Sequence, residues 1–173
     1  MAGTACHVLH APLQRGLTLV LGRSEGLVAN GCIFCEIIAG KAAASLVREC
    51  ALTVAFMDTR QFHPGHVLVV PRVHLPDVRE LDGDTGAALM AAVADVTRAV
   101  SDALSCEGIS VWHSIGEAAG QEVPHLHFHV HPRSPSDRLL DIYPSPPEYP
   151  DRATLDTMAA SIRPHLSSSA AAA

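Results

Sequence analysis

The stretch Pro124-His125-Leu126-His127-Phe128-His129-Val130-His131-Pro132-Arg133 places four histidines at alternate positions, separated by Leu126, Phe128 and Val130. A period of two is the period of a β-strand, so one face carries only imidazoles and the other only core-type side chains. Same-face neighbours on a strand lie roughly 6.6 Å apart, which lets each ring serve a different partner along an extended ligand. Charged or hydroxyl residues would make a better plain solvent face than histidine. Upstream, Cys32-Ile33-Phe34-Cys35 offers two thiols at the spacing of a tetrahedral zinc site, which needs two more ligands from elsewhere. The same pair also reads as two core thiols or as a redox couple.

Composition limits what such groups can serve. The chain has 173 residues, 48% of them apolar, which suits one globular domain with its own core. Its net charge is −6 and it has no Lys/Arg cluster, so nucleic acid is disfavoured as a partner. Its apolar runs are too short to cross a membrane. Leu17-Thr18-Leu19-Val20-Leu21 after Arg15 is too short for a secretion signal and lacks a convincing cleavage site, so a cytoplasmic protein is expected. The cysteines are Cys6, Cys32, Cys35, Cys50 and Cys106. An odd count with one Cys-x-x-Cys pair points to a reducing compartment and a metal site, not a disulfide framework. Cys6, Cys50 and Cys106 are expected to do no chemistry.

The elements that must position these residues follow in chain order. Residues 1–30 show no sustained period and read as a poorly ordered extension, with room for one strand at 17–21. Residues 31–150 form the domain and 151–173 a C-terminal helix with a frayed Ser/Ala tail. Cys32 to Ile38 suits a short helix stopped by Gly40. Leu46 to Glu49, Leu52 to Phe56 and His66 to Val70 are strands. A long helix begins near Asp84-Thr85 with Leu89, Val93, Val96, Val100 and Leu104 on one face. Ile109 to His113 is the next strand, and a Gly/Ala-rich loop leads into the histidine run. Residues 153–162 read as a last helix. Consecutive strands with a single long helix argue for an antiparallel sheet and an α+β fold.

His125-Leu126-His127-Phe128-His129 resembles the histidine-triad (HIT) signature, in which three histidines alternate with apolar residues. Gly120-Gln121-Glu122-Val123 resembles the family's lead-in. The chain departs at His131, where the pattern has an apolar residue, and at Ser114, where the family usually has an Asn. The resemblance implies a five-stranded antiparallel sheet that pairs with a second copy into a homodimer. It implies a nucleotide hydrolase or transferase acting at the α-phosphate of AMP-linked substrates, such as adenosine phosphoramidates or dinucleoside polyphosphates. A dinucleoside polyphosphate phosphorylase and a non-catalytic nucleotide-binding module are the alternatives.

Residue by residue, the resemblance makes His127 the nucleophile and His129 the partner of the phosphate and leaving group. A neutral imidazole forms a nucleotidyl-histidine and splits one hard displacement into two. Gly120, Gln121, Glu122, Val123 and Ser114 would lie beside the phosphate. Asp58 would accept both ribose hydroxyls, while Ile33, Phe34, Ile37 and Phe56 would wall a slot for a purine base. Without the resemblance, those four read equally as core and Asp58 as a turn residue. In part of the family the cysteine pair is completed by the His of a Pro-x-x-His turn and the first triad His. Here those are His74, in Pro71-Arg72-Val73-His74, and His125. The implied cofactor is a closed, structural zinc ion on Cys32, Cys35, His74 and His125. His66 matches a family position near the active site, though it also reads as the end of a strand.

Overall fold

The computed structural model describes residues 7–8, 31–135, 137–139 and 147–166. The expected strand at 17–21, and Cys6, lie outside them. Up to Asp137 the chain is one compact unit, and from Arg138 onward it is another.

The first unit is built on an antiparallel sheet in the order β1-β2-β3-β4-β6-β5. The strands are β1 (His7–Val8), β2 (Leu46–Glu49), β3 (Thr53–Met57), β4 (Val67–Pro71), β5 (Gly108–Trp112) and β6 (Phe128–Arg133). Five of them are the expected strands. The sixth, β1, is a two-residue addition along the outer edge of β2, where His7 pairs with Glu49 and Val8 with Arg48. Helix α1 (Ile33–Ile38) covers one face and α2 (Gly83–Ala103) the other. That double cover explains why β3 and β4 are almost continuously apolar rather than alternating.

The two faces hold separate cores. Ala55, Val67, Val69 and Val130 pack with Leu89, Ala92, Val93, Val96 and Val100 of α2. On the opposite face Val54, Phe56, Leu68 and Val70 pack with Phe34 and the two cysteines of α1 and its N-cap. Helix α2 starts slightly earlier than expected because Asp82, not Asp84 or Thr85, is the cap; its carboxylate accepts the Thr85 N–H at 2.9 Å.

Three expectations are corrected. The histidine run is a hydrogen-bonded strand only from Phe128. In the β4–β6 register Val69 faces Phe128, so Leu126 would face Pro71, which has no N–H to give. The Leu126 N–H instead reaches the Leu75 carbonyl at 2.6 Å. Second, His127, expected on a solvent-facing side of the strand, is buried, as are His125 and His131. Third, Cys50 is disulfide-bonded, against the expectation that it does no chemistry. The pairing of β1 beside Cys50 is a contact across some 40 positions, which local sequence pattern does not reveal.

The second unit contributes α3 (Arg152–Ile162), capped by Asp151. Among the described residues no helix is long and apolar enough to cross a membrane.

Candidate functional site

Period two on β6 assigns each side chain to a layer. Phe128 and Val130 face α2, whereas His129 and His131 stand on the α1 side with Leu68 and Trp112 as cross-strand neighbours of His129. A cavity of about 650 Å³ opens on that side. Its apolar wall is Ile33, Phe34, Ile37, Phe56 and Leu68; its polar groups include Asp58, Arg60, Glu122, His127 and His129. Gly120 and Val123 complete the border on the loop side. A volume in this range, largely apolar with a few convergent polar groups, suits a small organic ligand.

The hydrogen bonds determine the tautomers. His127 Nδ1 lies 2.6 Å from the carbonyl oxygen of His125, which can only accept. Nδ1 therefore carries the proton, and the Nε2 lone pair is left bare. The carbonyl of His127 accepts from His113 Nδ1 at 2.9 Å, and the Phe34 ring packs edge-on against the imidazole with centroids 5.3 Å apart. Burial pushes the His127 pKa down, so the ring is neutral at pH 7. A neutral ring with one nitrogen pinned and the other bare is chemically able to act as a nucleophile.

His129 is held differently. Trp112 stacks on it, with centroids 4.5 Å apart and planes 8° apart. Its Nδ1 lies 2.9 Å from His66 Nε2. His66 Nδ1 in turn faces the Arg60 carbonyl at 3.1 Å and the Asp58 carboxylate at 3.4 Å. These residues form a line, Asp58–His66–His129, along which one proton can be shared. Although Asp58, His66 and His129 also gather donor atoms as a metal site does, the 2.9 Å nitrogen contact has the length of a hydrogen bond and is shorter than the roughly 3.3 Å edge of a tetrahedral zinc site. Burial lowers the His129 pKa to about 3.

A second cluster lies beside the first. Cys32, Cys35, His74 and His125 bring four donor atoms within 4.8 Å of one another. His74 Nδ1 and His125 Nδ1 are 3.2 Å apart; the nitrogen–sulfur separations are 3.4, 3.5 and 3.6 Å. Bonds of zinc length in a tetrahedron imply edges of roughly 3.3 Å between nitrogens and roughly 3.6 Å between nitrogen and sulfur. The donor set therefore fits a tetrahedral metal ion. His125 Nε2 donates to the Pro71 carbonyl at 3.0 Å, which leaves Nδ1 unprotonated and aimed at the cluster, as a metal-ligating histidine requires.

Two expected residues stand outside the cavity lining. Ser114 follows β5 and does not reach it. The Gln121 amide is committed to backbone: its oxygen accepts the Gly116 N–H at 2.8 Å and its nitrogen donates to the Pro76 carbonyl at 2.7 Å. Gln121 thus holds the loop that ends in Gly120, a left-handed residue at φ +81°. Conversely, Arg60, Leu68 and Trp112 belong to the site without having been read from the sequence. Leu68 and Trp112 become legible only through strand register, and Arg60 only through the course of a loop.

His131, the departure from the signature, is buried against His66 and His63, with ring centroids 4.6 and 5.5 Å away. Its Nδ1 donates to the Pro132 carbonyl, and its Nε2 has no partner among the described residues. Burial lowers its pKa, as it does for His127 and His129. The unfolded chain therefore takes up these protons near the ordinary pH of 6.5, before the folded chain does. Stability is held above that pH and lost as pH falls below it. His131→Leu removes an unpartnered buried nitrogen together with the Nδ1–H bond to Pro132, so the two effects oppose and stability at neutral pH should stay within about 1 kcal/mol of wild type. It should also flatten the decline between pH 7 and 5. Melting curves across that range check both; a steeper decline in the variant would be the contrary result.

The comparisons with known proteins agree with this geometry. A family model described as the HIT domain matches residues 39–136. An uncharacterized HIT-like protein of Saccharolobus solfataricus is 36% identical, over 73% of this chain and 97% of its own. An adenosine 5'-monophosphoramidase of Schizosaccharomyces pombe is 34% identical, over 69% and 88%. An adenylylsulfatase of Arabidopsis thaliana is 31% identical, over 64% and 56%. A HIT-family crystal structure from Bacillus subtilis matches at a TM-score of 0.72 and 31% identity, covering 80% of this chain and 99% of its own. A zinc-bound histidine-triad protein from Mycobacterium smegmatis matches at 0.59 and 31%, covering 76% and 97%. With the domain matched over more than half of this chain and His127 and His129 of the triad lining the cavity, the chain belongs to the HIT family.

Proposed function

We propose that this protein is a nucleotide hydrolase or nucleotidyl transferase that cleaves AMP-linked substrates at the α-phosphate through a nucleotidyl intermediate on His127. One observation carries the reading: the His125 carbonyl pins His127 Nδ1–H and leaves the bare Nε2 in a cavity that also contains His129 and an apolar wall. The names of two relatives, a monophosphoramidase and an adenylylsulfatase, support hydrolysis of nucleotides at this coarse level.

In this reading the purine lies against Ile33, Phe34, Ile37, Phe56 and Leu68. Asp58 accepts the ribose hydroxyls; one of its oxygens also accepts the Arg60 N–H at 2.8 Å and keeps a further lone pair. The backbone at Gly120, Glu122 and Val123 borders the phosphate, and Gln121 acts by holding that loop. The His127 Nε2 lone pair forms the new bond to phosphorus, and the bond to the leaving group breaks with its electron pair. A leaving amine takes a proton from His129 Nε2, and His66 restores a proton to His129 Nδ1. Asp58 balances the positive charge on that line. Water then attacks phosphorus, the P–Nε2 bond breaks, and the proton released by water returns to the His129–His66 pair.

Zinc is the metal that Cys32, Cys35, His74 and His125 would hold. Four protein ligands close such a site, so the ion would be structural. The zinc-bound relative supports the assignment. The chain is also proposed to pair as a two-fold homodimer through the outer edge of β5, where Val111 is exposed; a mass near 18.3 kDa in solution would refute it.

Single-turnover mixing with an adenosine phosphoramidate, adenylyl sulfate, ADP and a dinucleoside polyphosphate tests the central reading. Expected are fast leaving-group release and an adenylylated peptide containing His127. Product formation that depends on added inorganic phosphate would favour the phosphorylase. Tight AMP binding with no turnover of any substrate would favour the binding module.

A further inference from the structure

Among the described residues that line the cavity, Arg60 is the only lysine or arginine. Its backbone is fixed: the N–H is given to Asp58 and the carbonyl accepts from His66 Nδ1. Its side chain is not. The guanidinium pairs with Glu122 at 2.6 Å, but the two side chains are 62% and 66% exposed. An ion pair this open to water contributes little and is easily exchanged. An oxyanion offers the same guanidinium a bidentate, charge-assisted contact, which is the stronger kind.

The charge of Arg60 is felt at the reaction centre, since it contributes to the lowered pKa of His129 and interacts with the Asp58 carboxylate. A leaving amine needs a proton, which the His66–His129 line supplies. A leaving phosphate or sulfate departs as an anion and needs positive charge near it instead.

We infer that Arg60 is a specificity-determining residue: it leaves Glu122 to bind an oxyanion, phosphate or sulfate, carried by the leaving group, and so extends the site from amide substrates to anhydrides. This rests on the hydrolase reading for its kinetic consequence but not for its binding consequence. In the group-transfer step the P–O bond to the leaving group breaks, its electron pair departs with the phosphate or sulfate, and Arg60 meets the developing charge. Released Glu122 turns to water at little cost, because it is already largely exposed.

The test compares wild type with Arg60→Gln and Arg60→Lys in two readouts. One is the affinity for α,β-methylene-ADP relative to AMP, by displacement of a fluorescent AMP analogue. The other is kcat/KM for adenylyl sulfate and for ADP, each relative to an adenosine propylphosphoramidate whose leaving amine carries no anion. A lost charge-assisted contact corresponds to roughly a 10- to 100-fold effect. Arg60→Gln should lower the affinity ratio by that amount and the kinetic ratio by at least as much, and Arg60→Lys should recover part of both. A kinetic loss confined to adenylyl sulfate or to ADP identifies which oxyanion the arginine serves. Ratios within threefold of wild type in both readouts would overturn the inference, as would an equal fall for the anionic and neutral leaving groups. If wild type turns over nothing, the hydrolase reading fails while the affinity ratio still decides the role of Arg60.

Discussion

His127→Asn is expected to reduce turnover of an adenosine phosphoramidate by about 10⁴-fold or more, the scale of loss when a covalent nucleophile is removed. At roughly 1.4 kcal/mol per tenfold, that is more than about 5 kcal/mol of lost transition-state stabilisation. The substitution isolates chemistry from folding for a structural reason. His127 is buried at 5% exposure, so an apolar or charged replacement would disturb its surroundings. The Asn amide can present an N–H to the His125 carbonyl, as His127 Nδ1 does at 2.6 Å, but it has no basic nitrogen to stand where Nε2 was. AMP affinity should stay within a few-fold of wild type, since Asp58 and the apolar wall are untouched. The lowered pKa of His127 adds a second signature. The attacking form is the unprotonated one, so the acidic limb of wild-type kcat should fall below pH 6.5, not at it. Rapid-quench turnover, AMP titration and a pH profile together check the assignment. Near wild-type turnover in the variant would remove His127 from the mechanism.

The reasons such a residue could be chosen from sequence, and others could not, are physical. Alternation along 125–131 tells which side chains share a face, because that follows from backbone geometry alone. The structure keeps that division: Phe128 and Val130 face α2 and His129 and His131 face the other way. What covers a face is not local information. The imidazole side is buried by Phe34 of α1, nearly a hundred positions upstream, and by the neighbouring strands. The end of the strand was equally hidden, since it depends on Pro71 arriving opposite Leu126 in a register that two distant segments set jointly.

The site divides in the same way. Cys32 and Cys35 were legible by spacing, but only the resemblance singled out His74 and His125 as their partners, and those two are 51 positions apart. Trp112 carries no sequence signal of its role; it stacks on His129 because β5 and β6 pair with those two residues opposite. Arg60 sits in a loop whose hydrogen bonds run to Asp58 and His66, so its place follows from three contacts and not from a pattern. Gln121 shows the opposite limit. The motif placed it beside the phosphate, yet its amide is spent on Gly116 and Pro76. A motif names residues of the right type; the hydrogen-bond partners available decide what each one does.

Removing the metal ligands should produce the largest effect on stability. Cys32, Cys35 and His125 are buried, and the donor separations already match a tetrahedron, so a bound ion would be tied to the folded state alone. An ion held at a thousand times its dissociation constant adds about 4 kcal/mol, which for a chain of this size is on the order of 10 °C in melting temperature. Cys35→Ser and His125→Ala should each abolish stoichiometric zinc and lower the melting temperature by about that amount. A strong chelator should do the same to wild type. Activity should then fall as a consequence: the His125 carbonyl holds the His127 proton, and the His125 ring, held by Pro71 on Nε2, would be anchored by the metal on Nδ1. Loosening that ring loosens the nucleophile's tautomer. The order of effects separates the two neighbouring histidines: His127→Asn loses turnover with its zinc and melting temperature kept, whereas His125→Ala loses zinc and stability first. Elemental analysis of protein prepared in metal-free buffer, paired with melting curves with and without chelator, makes the measurement. Protein that contains no zinc and melts at the same temperature in strong chelator would leave the cluster as four buried side chains and no metal site.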